Sequence, residues 1–366
     1  MAGAMAGPLA GLRIVEMAGL GPGPFAAMML ADHGAEVIRI ERPGNLAVPN
    51  DPLTRSRRSL AVNLKTDAGV AIVRRIAARA DGLVEGYRPG VMERLGLGPE
   101  TLLAANQKLV YGRVTGWGQD GPLAQDAGHD IDYLALTGLL AGLGPKAGPP
   151  MAPVNYLADF AGGGMMLAFA MVAALLDVQR GGDGQVIDAA MTDGAALIGA
   201  LVFGMRAAGM WSDEREANLL DGGDPLYGCY RCADGKYLAL GALEPHFRDA
   251  LADGLGVTEV TKASVTKAVA RKSRDQWVAH FAGKDACVAP VLSLGEAPAH
   301  LHNRARGTFV NVGGVLQPGP APRYSLSRCD SPEPPRAEGA DNDAILAELG
   351  YGAAEVAAFR EAGVLV

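Results

Sequence analysis

The sequence predicts an α/β protein, with a large doubly wound, Rossmann-like domain and a small α+β domain. Three observations carry this. Apolar strand-like runs alternate with helical stretches from the N-terminus to about residue 208, the pattern of a parallel sheet with helical crossovers. The first run leads through a Gly/Pro-rich turn into a helix and a second run, a β-α-β opening with a right-handed crossover. Beyond residue 223 the texture changes to a hairpin signature and short helices.

Taken in order, residues 12–17 read as a strand, 18–24 as a turn, and 25–33 as a short helix closed by Gly34, a residue suited to the place past a helix C-terminus. Residues 35–41 form a second strand, stopped by Arg42-Pro43-Gly44. Residues 67–80 carry Val70, Val73, Ala77 and Ala80 at helical spacing. Residues 82–86 are a short strand, Pro89 opens a helical turn, and residues 107–115 contain a further strand. Residues 130–140 and 159–178 read as long apolar helices, and 185–189 as one more strand before a long helix to about residue 208. Residues 211–223 form a polar, Gly-rich connector. The runs at 226–232 and 236–240 flank Asp234-Gly235, a hairpin turn. Helices follow near 246–255 and 273–282, then a Pro-rich extended stretch at 317–335 and a helical tail at 341–365. The expected division is residues 1–190 with 330–366 as the large domain, 191–224 as helix and linker, 225–315 as the small domain, and 316–329 as a return linker.

Composition narrows the function. Of 366 residues, 49% are hydrophobic and 20% charged, which supplies a core and excludes a disordered chain or a coiled coil. The 50 glycines are about twice average usage, so tight turns or close backbone approaches are expected. The net charge of −7 argues against a nucleic-acid partner. The charge is uneven, however: residues 1–94 hold 12 Lys/Arg against 9 Asp/Glu. That suits either a phosphorylated small molecule or a solvated basic face.

Four cysteines in this length make no disulfide framework and fit a reducing compartment. Cys229 and Cys232 have CxxC spacing without a second pair, and a strand there points them to opposite faces. His300 and His302 also lack partners at metal spacing. No metal is therefore expected. The N-terminus lacks a basic region followed by an apolar leader. The 17 uncharged residues from 160 to 176 stand at the short limit for a membrane span. A fully buried helix, a cytoplasmic chain and no membrane partner are the expectations.

Gly19, Gly21 and Gly23 imitate a dinucleotide fingerprint, with a strand before, a helix after, and Glu41 ending the next strand. Pro24 stands where the third glycine is required, and Pro22 and Pro24 remove N–H groups that a pyrophosphate needs. No nicotinamide cofactor is expected. Two other helix starts carry titratable groups. Asp130 reads as an N-cap, which leaves His129 at the helix mouth after Gly128. Asp159 stands at the start of the most apolar helix, followed by Gly162-Gly163-Gly164. A cap and a structural histidine account for each residue taken alone. Together they bring two titratable groups to the mouths of adjacent apolar helices, where backbone N–H groups stabilise a developing anion.

Ordered motifs run nearly end to end around these residues. They include Gly11-Leu-Arg-Ile-Val-Glu-Met17, Val37-Ile-Arg-Ile-Glu-Arg-Pro43, Ser59-Leu-Ala-Val-Asn-Leu-Lys65 and Glu85-Gly-Tyr-Arg-Pro-Gly-Val91. Thr115-Gly-Trp-Gly-Gln119, Gly184-Gln-Val-Ile-Asp-Ala-Ala190 and Gly241-Ala-Leu-Glu244 continue the series. In these the sequence resembles the alpha-methylacyl-CoA racemases, a branch of the family III CoA transferases (the formyl-CoA and carnitine-CoA transferase group). The resemblance implies that His129 and Asp159 are an acid/base pair, and that Glu244 supports the histidine from the other subunit. It implies that Arg42, Leu64, Lys65, Tyr87, Arg88 and Arg94 line a coenzyme A site. Gly128, Asp130 and Tyr133 would lie beside its pantetheine arm and thioester. It further implies an interlocked homodimer, two long linkers between the domains, and no cofactor, since coenzyme A enters only as part of the substrate.

Racemisation at C2 of a thioester needs a base on one face and an acid on the other, and two groups of different chemical type suit this task. Arg55, Arg57 and Arg58 are further candidates for the coenzyme A phosphates. Met165, Met166, Met191, Met205, Met210 and Trp211 are candidates for an adaptable acyl surface, with core packing as their alternative. The glycines beside His129 and Asp159 are expected where the backbone approaches the thioester. Two other functions stay open: a CoA transferase in which Asp159 is the nucleophile, and a non-catalytic acyl-CoA binder.

Overall fold

Short strands rich in Val, Ile and Leu pair side by side when both of their faces are covered. Six of them, β1 (Arg13–Met17), β2 (Glu36–Glu41), β3 (Arg57–Ala61), β4 (Gly82–Glu85), β5 (Val110–Thr115) and β6 (Val186–Ala190), form one parallel sheet. The order is β3-β2-β1-β4-β5-β6, so the winding reverses between β1 and β4, the doubly wound arrangement. The computed structural model describes residues 7–41, 48 and 50–365. Arg42, one of the expected coenzyme A contacts, lies outside the described residues.

The chain divides into two units. One comprises Met1–Thr137, Val154–Ile198 and Gly307–Val366, and the other Gly138–Pro153 and Gly199–Arg306. Residues 307–315 thus fall with the first unit.

In the first unit, α1 (Pro22–Asp32) starts with Pro at its first position, where no N–H is needed. Its N-cap, Gly21, has φ +68, which a side chain would strain. α2 (Asp67–Ala77) is capped by the Thr66 hydroxyl, which accepts from Gly69 N at 3.1 Å, and buries Ile72, Val73 and Ile76. α3 (Val91–Arg94) and α4 (Pro99–Ala105) link β4 to β5. One core joins Val15, Ile38, Leu60, Leu83 and Tyr111 to Ile345, Leu346 and Leu349 of the C-terminal segment. That segment also covers the β3 edge: Asp341 Oδ2 accepts from Ser59 N and Asn342 Oδ1 from Ala61 N, both at 2.9 Å. An edge covered in this way is closed to pairing with another chain.

β3 has no counterpart among the expected strands, where residues 55–58 read as phosphate-binding or solvated basic groups. The structure corrects this reading. Arg55 is 2% exposed and pairs with both oxygens of Asp32, with Gln317 Oε1 at 2.7 Å and with Pro318 O at 2.7 Å. Arg57 is equally buried, donating to Glu16 Oε2 at 3.0 Å and to Pro24 O at 2.6 Å. Arg58 pairs with Glu36 and Glu348. Two arginines in a five-residue stretch hide the strand pattern, and only distant carboxylates make the burial of Arg55 and Arg57 tolerable.

Three further expectations change. α5 (Asp130–Leu136) ends four residues early, before Gly138 at φ +80. Residues 159–178 are not one buried α-helix: a π-helical segment, Tyr156–Met165, runs into α6 (Met166–Gln179). This run is long and apolar enough to cross a membrane by length and composition, yet only one side of it packs inward. Phe169 is 74% exposed, and Val172 and Leu176 are also exposed. The long helix after β6 breaks at Gly199 into α7 (Met191–Ile198) and Ala200–Ala207.

In the second unit, β7 (Tyr227–Arg231) and β8 (Tyr237–Gly241) form the expected antiparallel hairpin, and β9 (Val288–Pro290) pairs with β8. Gly235 at φ +79 makes the turn. Leu238, Leu251, Val265, Trp277 and Phe281 form its core. The helix Lys262–Val269 and the strand β9 have no counterpart in the sequence reading.

Candidate active site

The strand order places a crevice outside the carboxyl ends of the strands where the winding reverses, the usual place for a ligand in such sheets. A cavity of about 450 Å³ opens there, within the range of small-molecule sites. Its wall is made by residues 19–24, the turn after β1 and the start of α1, with Tyr87 and Arg88 after β4, Trp117 after β5, and His129, Tyr133, Asn155 and Asp159. All of these belong to the first unit.

His129, not Asp130, is the N-cap of α5. It is extended (φ −133, ψ 175), and its N–H donates to Asp132 Oδ2 at 3.0 Å. The next residue, Asp130, is already helical and 4% exposed. Its side chain serves a different segment: Oδ2 accepts from Ala158 N and Asp159 N, both at 2.8 Å. The sequence shows an aspartate at a helix start but not which helix it caps.

Asp159 sits in the π-helical segment, the kind of bulge often found at functional sites. Asn155 Nδ2 donates to its Oδ2 at 3.2 Å. A Cβ on Gly21 would lie 3.5 Å from that same oxygen, so the turn after β1 runs directly past the carboxyl. Burial raises the proton affinity of Asp159 above the ordinary carboxylate range, and the charge of Asp130 adds to it. The Asn155 hydrogen bond and nearby His129 oppose this without overcoming it.

Gly162-Gly163-Gly164 does not line the cavity. A Cβ on Gly162 would meet Ala195 N at 2.6 Å, and one on Gly194 would meet Gly162 O at 1.8 Å. The glycines let the π-helical segment press against α7 and α1, which overturns the expectation that they approach a thioester. Gly128, by contrast, lines the cavity, and a Cβ there would lie 2.6 Å from the Tyr133 ring. Tyr133 packs edge-on to Trp117 at 4.8 Å, and its hydroxyl donates to Gly128 O. Burial, with the Asp159 and Asp132 carboxylates nearby, pushes that phenol up to about 12. It stays a neutral donor and fixes the backbone just before His129.

Tyr87 lines the cavity, its hydroxyl donating to Ala18 O at 3.0 Å and its N–H to Glu85 Oε2 at 2.7 Å. Arg88 is exposed at the wall. Leu64 packs against the core, while Lys65 and Arg94 are exposed; these three and Asp130 are not part of the cavity wall. Glu244 belongs to the second unit, as N-cap of the helix Pro245–Leu255. Of the methionines, Met191 lines the cavity and is buried, whereas Met165 and Met210 are exposed. Cys229 in β7 is exposed, and Cys232, the residue after the strand, is buried. Sequence reading missed Asn155, whose only signal is its place four residues before Asp159. It also missed buried Glu85, which holds the Tyr87 N–H and pairs with Arg113 at 2.8 Å.

A doubly wound sheet with an imidazole and a carboxyl of raised proton affinity on one cavity wall defines a small-molecule site with two titratable groups. The chain belongs to CoA-transferase family III, whose sequence profile matches residues 9–342. It is 44% identical over 366 residues to the alpha-methylacyl-CoA racemase of Mus musculus, covering 95% of each chain. It is 31% identical to the succinyl-CoA:glutarate CoA-transferase of the same organism, over 93% of this chain and 86% of that one. Among solved structures, a CAIB/BAIF family protein from Brucella suis matches 94% of this chain and 100% of its own, with TM-score 0.83 and 26% identity.

Proposed function

We propose that this chain is an isomerase that interconverts (R)- and (S)-2-methylacyl-CoA thioesters, with His129 and Asp159 as the acid/base pair. The observation that carries the reading is the raised proton affinity of Asp159 on a wall shared with His129. A carboxyl that holds its proton more tightly than usual is suited to return one to carbon, and its ionised form to take one. In one direction His129 removes the C2 proton and Asp159 supplies another to the opposite face. In the other direction the roles exchange. The enolate oxygen formed between the two steps needs donors, and the first-turn N–H groups of α5 are suited to this. No further cofactor is required, because the thioester itself acidifies C2.

Arg88, exposed at the mouth, is proposed to meet a coenzyme A phosphate. Lys65 and Arg94 are proposed to join it, and Glu244 to support His129 from a second copy of the chain. Homodimer formation is supported by the apolar outer side of α6 and α7, where Phe169, Val172, Leu176 and Leu197 are exposed. Exposed apolar side chains of this kind on helices are candidates for an interface.

The test is deuterium incorporation at C2 of a 2-methylacyl-CoA in deuterated water, with no acceptor acid present. Incorporation with loss of optical purity supports the reading. Movement of coenzyme A to an added carboxylate, without deuterium at C2, would replace it with a transferase in which Asp159 is the nucleophile. Tight coenzyme A binding with neither reaction would make the chain a binder only.

A further inference from the structure

We infer that Asp130 is the positioning residue for Asp159, its buried carboxylate pinning the π-helical segment to the start of α5. This rests on the acid/base reading above. From sequence, Asp130 is expected to lie beside the thioester. The structure gives it other partners. It is 4% exposed, is not part of the cavity wall, and takes the N–H groups of Ala158 and Asp159 on one oxygen. Its other oxygen, Oδ1, is buried without a hydrogen-bond partner. A buried carboxylate with half of its capacity unused is a costly way to cap a helix, and Ser or Asn caps without the charge.

The geometry shows what the carboxylate does. His129 and Asp130 are consecutive residues, and Asp130 bonds the N–H of Asp159. The two acid/base residues are therefore linked through one peptide unit, one short side chain and one hydrogen bond. No other polar contact among the described residues joins α5 to the Asp159 backbone so directly. Their separation must match the two faces of a single carbon, where a misplacement of about 1 Å costs about 10²-fold in rate. The charge acts as well. Asp159 is faced by His129, Asp130 and Tyr133 from α5 and by Asn155 from its own segment. Pro22, Phe25, Met191 and Ala195, packed on that segment from α1 and α7, carry none. Asp130 thus adds to the raised proton affinity of Asp159.

The experiment compares wild type, Asp130→Ala and Asp130→Asn in C2 exchange and racemisation from each enantiomer, with full pH profiles. Asp130→Ala is expected to lower kcat by about 10²-fold while KM for the thioester stays within about threefold, the pattern of lost transition-state geometry. Asp130→Asn keeps an acceptor for both N–H groups and removes the charge. It is expected to retain most of kcat and to move the acid limb of the direction in which Asp159 is the base to lower pH. If Asp130→Ala fails to fold, the Asn variant and its pH limb still decide. A raised KM with kcat intact would make Asp130 a substrate contact and overturn the proposal. Wild-type exchange with both variants unchanged would also overturn it. Wild type without exchange overturns the racemase reading itself, and the positioning role with it.

Discussion

Two stretches of the N-terminal quarter hold the same residue type under opposite conditions. Along β2 and β3, Arg39, Arg55 and Arg57 are buried and joined to Glu16, Asp32 and Glu41. At the end of β4, Arg88 is exposed on the cavity wall. The first group ties the sheet edge to the first turn of α1, since Arg57 also holds Pro24 O. The second is free to meet a ligand. A guanidinium already matched by a carboxylate in a dry setting is not available to a phosphate, whatever the local excess of positive charge in the sequence. The basic quarter is thus a scaffold on one side and a candidate binding edge on the other.

That contrast can be tested from its strongest consequence to its weakest. His129→Ala and Asp159→Ala act at the cavity, and each is expected to lower C2 exchange by about 10²–10⁴-fold with the thermal melting temperature unchanged. Loss of folding in place of loss of rate would move these residues to the scaffold side. Arg55→Ala acts on the scaffold. It leaves Asp32 buried without its partner and should cost about 3–5 kcal/mol of stability, read by denaturant unfolding, with KM for the thioester unaltered. A raised KM at unchanged stability would erase the distinction. Gly194→Ala places a methyl against Gly162 O and should destabilise by about 1–3 kcal/mol, with exchange falling because the Asp159 segment shifts. Full stability there would show that α7 yields easily. Arg88→Ala should raise KM for coenzyme A thioesters about tenfold, or about 1.4 kcal/mol by one lost charge-assisted contact. Stability should stay within about 0.5 kcal/mol. Titrating KM against salt checks this, since an exposed ion pair is screened.

Much of the fold is legible in the residues. β1, α1, β2 and β4 follow from apolar runs and Gly/Pro punctuation, and the β7–β8 hairpin from Asp234-Gly235. β3 is not legible, because Arg57 and Arg58 look like surface until Glu16 and Glu348 are seen beside them. The fate of α6 is half legible: an apolar run predicts burial, but which side packs depends on α1 and the sheet. The site divides in the same way. His129 and Asp159 stand at recognisable helix starts, and the fold brings both to one cavity. That Asp130 caps the Asp159 segment, and that three glycines serve helix packing, depends on neighbours from 28 to 142 residues away in the chain.

The order of residues alone determines the alternation of strand and helix, the turns, and the presence of an imidazole and a carboxyl at helix mouths. These depend on spacing and local conformational preference, which act over a few residues. Tertiary structure alone decided which arginines are scaffold, which helix Asp130 caps, and how tightly Asp159 holds its proton. Each of these is a matter of burial and of charges brought close by folding. Desolvation and Coulomb interaction depend on distance in space, and no local pattern of residues encodes that distance.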